Sequence, residues 1–271
     1  TVNDRSVGFD LDLFRNERRW RLCFWGVIAF ALSVRLVGLN WDQGHHDHPD
    51  ERAMVQAIQR ISFQPGRLQL NPQFFAYGSL PIYLSALVST LLGQFAPTLR
   101  HYDGLVLIAR LVSAVMGTVT VGVLVVLGTR LFGRSAGLLA GLLLGGCVLH
   151  VQNSHYGTTD VFLTCLVLLA LSGLVAVVEG GQGRRYLWAG AAIGLATATK
   201  FSALPLLVPL GVATVLRLSR ERRAFPLVGA LGALVVALAA FLAVQPYTLL
   251  DFREYGAQIR EQGRMVRSAG L

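Results

Sequence analysis

The sequence is short of charge. Only 14% of its 271 residues are Asp, Glu, Lys or Arg, against about 25% in an ordinary soluble domain. So few charges cannot cover the water-facing surface of a globule this long. Disorder is excluded as well, because it needs low hydrophobicity and 54% of these residues are hydrophobic. Lysine is nearly absent: 23 of the 24 cations are arginine, and Lys200 stands alone. The three cysteines, Cys23, Cys147 and Cys165, fall inside apolar runs. They read as small hydrophobes rather than a disulfide framework. Apolar length is what the chain has in quantity, with a mean hydropathy of +0.55. The fold class this implies is all-α, a polytopic membrane helix bundle.

A spanning helix needs roughly 20 apolar residues. Candidates are 22–39, 80–97, 105–127, 136–151, 161–178, 187–199, 202–216 and 227–245. The first reads as a retained signal-anchor, since about twenty polar residues precede it and no small-residue cleavage site follows. Thirteen of the 24 cations crowd into 1–21, 128–135, 179–186 and 217–223, which the positive-inside rule assigns to the cytoplasm. Arg5, Arg15, Arg130, Arg134, Arg184, Arg185, Arg222 and Arg223 are among them.

Parity then constrains the rest. Segment 22–39 exits and 105–127 returns, so 80–97 is a re-entrant or interfacial helix rather than a crossing. Segments 187–199 and 202–216 form an out-and-back pair with Lys200 at the external turn. The total is about seven crossings. The domain plan is a cytoplasmic basic N-terminus 1–21, a membrane module 22–245 with external loop 40–104, and an external amphipathic tail 246–271. Gly137, Gly141, Gly145, Gly146, Gly190 and Gly194 suit close helix packing in lipid. Arg35, one turn from its helix end, is expected to snorkel, and Trp41, Tyr186 and Trp188 read as interface aromatics.

Three polar groups fall on the external side by this count. Residues 42–51 carry four acids and three histidines, ending in His48-Pro49-Asp50-Glu51. Pro49 suits the first position of a helix, and acids suit its first turn, yet capping alone does not require so many ionisable groups. His48 and Asp50 are candidate metal ligands, although the run lacks a recognised ligand spacing. The second group is His150 to Asp160. Asp160 serves either the dipole of the following helix or a site shared with Asp50. The third is Lys200, which either snorkels or holds a phosphate near the outer leaflet. Arg110, near the start of its span, is open to the same two readings.

These residues and this topology resemble the GT-C superfamily of polyprenyl-phosphate-sugar-dependent glycosyltransferases, in the protein O-mannosyltransferase and aminoarabinose-transferase branch. The resemblance is carried by His48-Pro49-Asp50-Glu51, Asn71-Pro72-Gln73-Phe74-Phe75-Ala76-Tyr77, Ala109-Arg110-Leu111-Val112-Ser113 and Arg130-Leu131-Phe132-Gly133-Arg134. It continues in His155-Tyr156-Gly157-Thr158-Thr159-Asp160, the Gly194 to Lys200 run and Gln245-Pro246-Tyr247. It implies an inverting transfer of sugar from a polyprenyl-phosphate carrier to an acceptor at the external, periplasmic face of the plasma membrane. By it Asp50 is the candidate base, Glu51 its neighbour, and Asp160 the second-loop acid. Lys200 meets the lipid phosphate, with Arg110, His155, Tyr77 and Tyr247 as further candidates.

The resemblance leaves a divalent metal open and implies no other cofactor. Its partners are the polyprenyl-phosphate donor, the bilayer and other membrane proteins, with no nucleic acid. The family's small residue and Tyr after Asp-Glu are replaced by Arg52-Ala53-Met54. The runner-up reading is a non-catalytic membrane scaffold on the same fold. It rests on further spans that family members usually carry and this sequence does not include.

Overall fold

The computed structural model describes residues 16–64, 66–180, 183–221 and 225–268. Arg5 and Arg15 of the basic N-terminus, and Arg222 and Arg223 of the 217–223 loop, lie outside the described residues. The helices, in order, are α1 (Glu17–Leu36), α2 (Pro49–Gln59), α3 (Leu80–Leu92), α4 (Tyr102–Phe132), α5 (Arg134–Gly145) and α6 (Val148–Ser154). They continue with α7 (Asp160–Val178), α8 (Gly183–Thr197), α9 (Leu207–Glu221), α10 (Phe225–Val244), α11 (Tyr247–Leu250) and α12 (Phe252–Ser268). Among the described residues the only β-type pairing is an isolated antiparallel bridge, Ser62 to Gln69. The protein is an all-α membrane bundle.

Contacts sort the loops into two ends. At one, Glu17 pairs with Arg134, and Arg130 Nε donates to Glu179 at 2.8 Å. Arg185 and Arg220 there donate to the Ala176 and Val178 carbonyls at the foot of α7. At the other, His155 Nε2 meets the Val37 carbonyl, Gly157 N–H meets Glu51, Gly78 N–H meets the Thr199 carbonyl, and Asn71 meets Asp251. The segments running between these ends are α1, α4, α5 with α6, α7, α8, α9 with its preceding 3-10 turn Phe201–Leu206, and α10.

Among the described residues four helices are each long and apolar enough to cross a membrane: α4, α7, Phe201–Arg220 and α10. The pair α5 and α6, bent by 60°, adds a fifth if it is one span. Helix α3 has 13 residues, too few to span. Its first turn faces the Ala198 carbonyl, and Ser89 near its far end bonds the Leu99 carbonyl just ahead of α4. It therefore lies along one end of the bundle.

Large apolar side chains such as Leu231, Val235 and Leu238 of α10 point away from the protein, a surface that only lipid can satisfy. Inside, α8 packs on α7 and α10. A Cβ at Gly190 or Gly194 would sit 2.2 Å from the Ala233 or Ala237 carbonyl oxygen, so glycine there permits the backbone approach typical of helix contacts in lipid.

Arg35 departs from expectation. It is fully buried rather than snorkelling. Its guanidinium donates to the Ala31, Leu144 and Gly145 carbonyls, to Ser154 Oγ and to His150 Nδ1. Helix α5 ends at Gly145, so its last carbonyls have no intrahelical partner. In a bilayer such groups must be met from within the protein, and Arg35 meets them while tying α6 to α1.

A second buried arginine organises the other end. Arg110, on α4, has no exposed surface. Its Nε and Nη2 grip Glu51 at 2.8 and 2.6 Å, Nη2 and Nη1 grip Asp42 at 2.6 and 3.0 Å, and Nη1 also reaches the Leu39 carbonyl. Trp41 lies over the guanidinium, 5.2 Å from its ring centroid. One cation thus joins the chain leaving α1, the first turn of α2, and α4. The Arg110 guanidinium holds the Asp42 carboxyl down at about 2. Removing one partner of such a group strands buried charge, at a cost of about 3–5 kcal/mol.

Arg110→Gln is therefore expected to lose about that much stability, read as a lower melting temperature in detergent. Because the folded-state value of Asp42 lies below its ordinary 3.8, its contribution is complete above that value and is lost as pH falls towards 2. Melting temperatures between pH 5 and 3 should fall more steeply in the wild type than in Asp42→Asn. Parallel curves would contradict the assignment.

Candidate active site

Four polar side chains from three separate loops meet beside this clamp. Asp160 is the first residue of α7, where the helix dipole favours an acid. Lys200 ends the turn after α8, and its Nζ donates to Asp160 Oδ1 at 2.8 Å. The pair is partly open, with side chains 33% and 49% exposed. The Lys200 ammonium also sits 5.5 Å from the centroid of the Tyr77 ring. Tyr77 also lies near enough to the Asp50 carboxylate for that charge to act on its phenol. Burial, followed by the charge of Asp50 and its hydrogen bond, pushes the Tyr77 phenol up to about 12, so it remains a donor at neutral pH. Asp50 itself is exposed. Among the described residues no cation is paired with it.

Local structure explains how the group is held. His48 caps α2, its Nδ1 accepting the Glu51 N–H at 3.3 Å. Pro49 follows at the first helical position, so Asp50 and Glu51 occupy the first turn on different faces. Glu51 turns inward to Arg110 and also accepts the Gly157 N–H at 2.7 Å. That bond ties the loop leading to Asp160 to the helix carrying Asp50. Tyr77 is set by Gly78, whose N–H donates to the Thr199 carbonyl at 2.9 Å. A Cβ on Gly78 would lie 1.9 Å from the Ala198 carbonyl oxygen, so only glycine lets Tyr77 approach the Lys200 turn.

The expected site residues divide accordingly. Asp50, Tyr77, Asp160 and Lys200 come together. Arg110 does not fit the phosphate-binding expectation, because all five of its N–H donors are taken by Glu51, Asp42 and the Leu39 carbonyl. Glu51 is buried and saturated, which suits a residue that positions its neighbours rather than one that exchanges protons with substrate. His155 lies apart, with both ring nitrogens against the Val37 and Val151 carbonyls, on the wall of a separate cleft with Trp41 and Tyr156. Tyr247, on α11, lies beside Tyr83 of α3 and is not part of the group. His48 spends Nδ1 on the helix cap. Among the described residues no three His, Cys, Asp or Glu side chains are gathered for a metal ion.

Sequence reasoning missed Asp42 and the Gly157 N–H as partners of the buried centre. It also read Trp41 as an interface aromatic. The available signal was a span carrying a lone arginine opposite a loop unusually rich in acids.

Adding a methyl group at Gly78 should cost about 1–3 kcal/mol through overpacking, whereas Gly211 has nothing within 4 Å of its would-be Cβ. Thermal melting should therefore fall for Gly78→Ala and hold or rise for Gly211→Ala. Equal effects would show that the close approach at Gly78 is not real.

No curated protein and no solved structure matched the chain. Residues 103–247, more than half of its length, match the family model described as dolichyl-phosphate-mannose-protein mannosyltransferase. The matched stretch contains Arg110, Asp160 and Lys200, while Asp50, Glu51 and Tyr77 precede it. The protein belongs to that family of GT-C membrane glycosyltransferases.

Proposed function

We propose that this protein transfers a sugar from a polyprenyl-phosphate carrier to an acceptor hydroxyl, with inversion, at the external face of the plasma membrane. The observation that carries this reading is the convergence of Asp50, Tyr77, Asp160 and Lys200 from the first long loop, the head of α7 and the turn after α8. The face is assigned by charge: the opposite end carries the arginine clusters of a cytoplasmic surface.

In the reaction the acceptor oxygen bonds to the anomeric carbon as the bond from that carbon to the phosphate oxygen breaks. The acceptor proton passes to Asp50 and the electron pair leaves with the phosphate. Lys200 is suited to the departing charge, since Asp160 occupies only one of its three N–H donors and a partly exposed ion pair is worth about 1 kcal/mol or less. A phosphate can displace Asp160 at small cost, whereas the buried ion pairs of Arg110 are not open to exchange. Tyr77 lies close enough to Asp50 to feel its charge and carries Lys200 against its ring, so it stands near both the base and the leaving-group cation.

The test uses detergent-purified protein and a polyprenyl-phosphate-linked mannose. Asp50→Asn should lower turnover by about 100- to 10,000-fold, the usual scale of a lost general base, with donor binding intact. Lys200→Met should weaken donor binding by about tenfold or more. An Asp50→Asn variant with wild-type turnover would overturn the assignment of the base and would favour a scaffold role.

A further inference from the structure

Helix α12 does more than lie along a surface. Its Gln258 accepts the Phe75 N–H at 2.7 Å through Oε1 and donates through Nε2 to Glu254 at 2.8 Å and to the Gln73 carbonyl at 3.4 Å. Just before the helix, Asp251 accepts from Asn71 at 2.8 Å. The Tyr255 ring lies 5.5 Å from that of Phe75 and 6.1 Å from that of Phe201, the residue after Lys200. One helix thus touches both halves of the candidate site, the loop that carries Tyr77 and the turn that carries Lys200.

The geometry of residues 75–78 shows why this matters. Phe75 is buried and its bond to Gln258 is partly so, so loss of Gln258 leaves its N–H short of a partner within the protein. The N–H of Gly78 is held by Thr199. Tyr77 lies between these two anchors, one on each side of the group it joins. Removing the Gln258 acceptor frees one anchor and leaves a buried donor unpaired, which costs enough to shift the segment.

We propose that Gln258 is a positioning residue, and that α12 braces the Tyr77 loop against the Lys200 turn so that the Asp50 end of Tyr77 is aligned for transfer. The proposal rests on the reading that these residues form one transfer site. It assigns Gln258 no contact with substrate. Its loss therefore acts on turnover, where small misplacements are costly, and leaves donor binding through Lys200 in place.

Two variants of the full chain separate this from a merely structural role. Gln258→Leu removes the acceptor, whereas Gln258→Glu combined with Glu254→Gln keeps an acceptor for the Phe75 N–H and a donor–acceptor pair along the helix without facing two carboxylates. Amide hydrogen exchange followed by mass spectrometry, in detergent, should show faster exchange in Gln258→Leu over 70–79, with the transmembrane peptides unchanged. The Gln258→Glu, Glu254→Gln pair should match the wild type. With a polyprenyl-phosphate-linked mannose, kcat of Gln258→Leu should fall about 10- to 100-fold with KM for the donor within about twofold, and Gln258→Glu combined with Glu254→Gln should restore most of it.

Unchanged exchange over 70–79 in Gln258→Leu would overturn the brace. So would a general rise in exchange in both variants, or a KM effect with kcat intact. Absence of transfer by the wild type would count against the proposed function alone, because the exchange result decides the brace without activity.

Discussion

The end of the bundle that carries the candidate site is organised by the burial of Arg110. A guanidinium without solvent access must spend every N–H within the protein. Arg110 does so on two carboxylates and a carbonyl drawn from the first loop and the first turn of α2. Glu51 Oε1, which accepts Arg110 Nε, also receives the Gly157 N–H, which fixes the approach to Asp160. The exposed Asp50 owes its place to its buried neighbour. A buried ionic core of one cation and two carboxylates contributes geometry more than stability, because desolvating three ions offsets much of what their attraction returns.

Two arginines and one lysine in or near the spans illustrate how exposure selects a role. Arg35 and Arg110 are sealed and saturated, one by helix-end carbonyls and one by carboxylates. Lys200 is partly open and has a single ion-pair partner. A compact ammonium with unspent donors suits a ligand that comes and goes, whereas a planar guanidinium fully ringed by acceptors suits permanent structure. In a chain with 23 arginines and one lysine, the proposed function gives the lysine the anion that is bound and released.

Much of the fold was legible because membranes impose simple rules. Apolar length marked the long helices, and arginine clusters sorted the loops into the two groups that the structure brings together, by Glu17 with Arg134 and by Arg130 with Glu179. Parity marked α3 as a segment that stays at one end, in keeping with its 13 residues. Asp50, Asp160 and Lys200 were visible because ionisable groups at membrane depth are costly. Partnerships between distant residues were not visible. Nothing in the sequence pairs Arg110 with Asp42 rather than a phosphate, or Arg35 with the carbonyls ending α5. The break at Gly146 that exposes those carbonyls lies inside an otherwise continuous apolar run. Gln258 was hidden for the same reason, since its partner is a backbone N–H more than 180 residues away.

The central claim is that the Tyr77, Asp160 and Lys200 group receives the phosphate of a lipid carrier while Asp50 faces the acceptor side. An experimental structure with polyprenyl phosphate bound tests it most directly. The account predicts the phosphate against Lys200 Nζ, with the Asp160 pair opened and Arg110 still ringed by Asp42 and Glu51. A phosphate bound at the arginine-rich end, or bound while the Lys200–Asp160 pair stays closed, would contradict it.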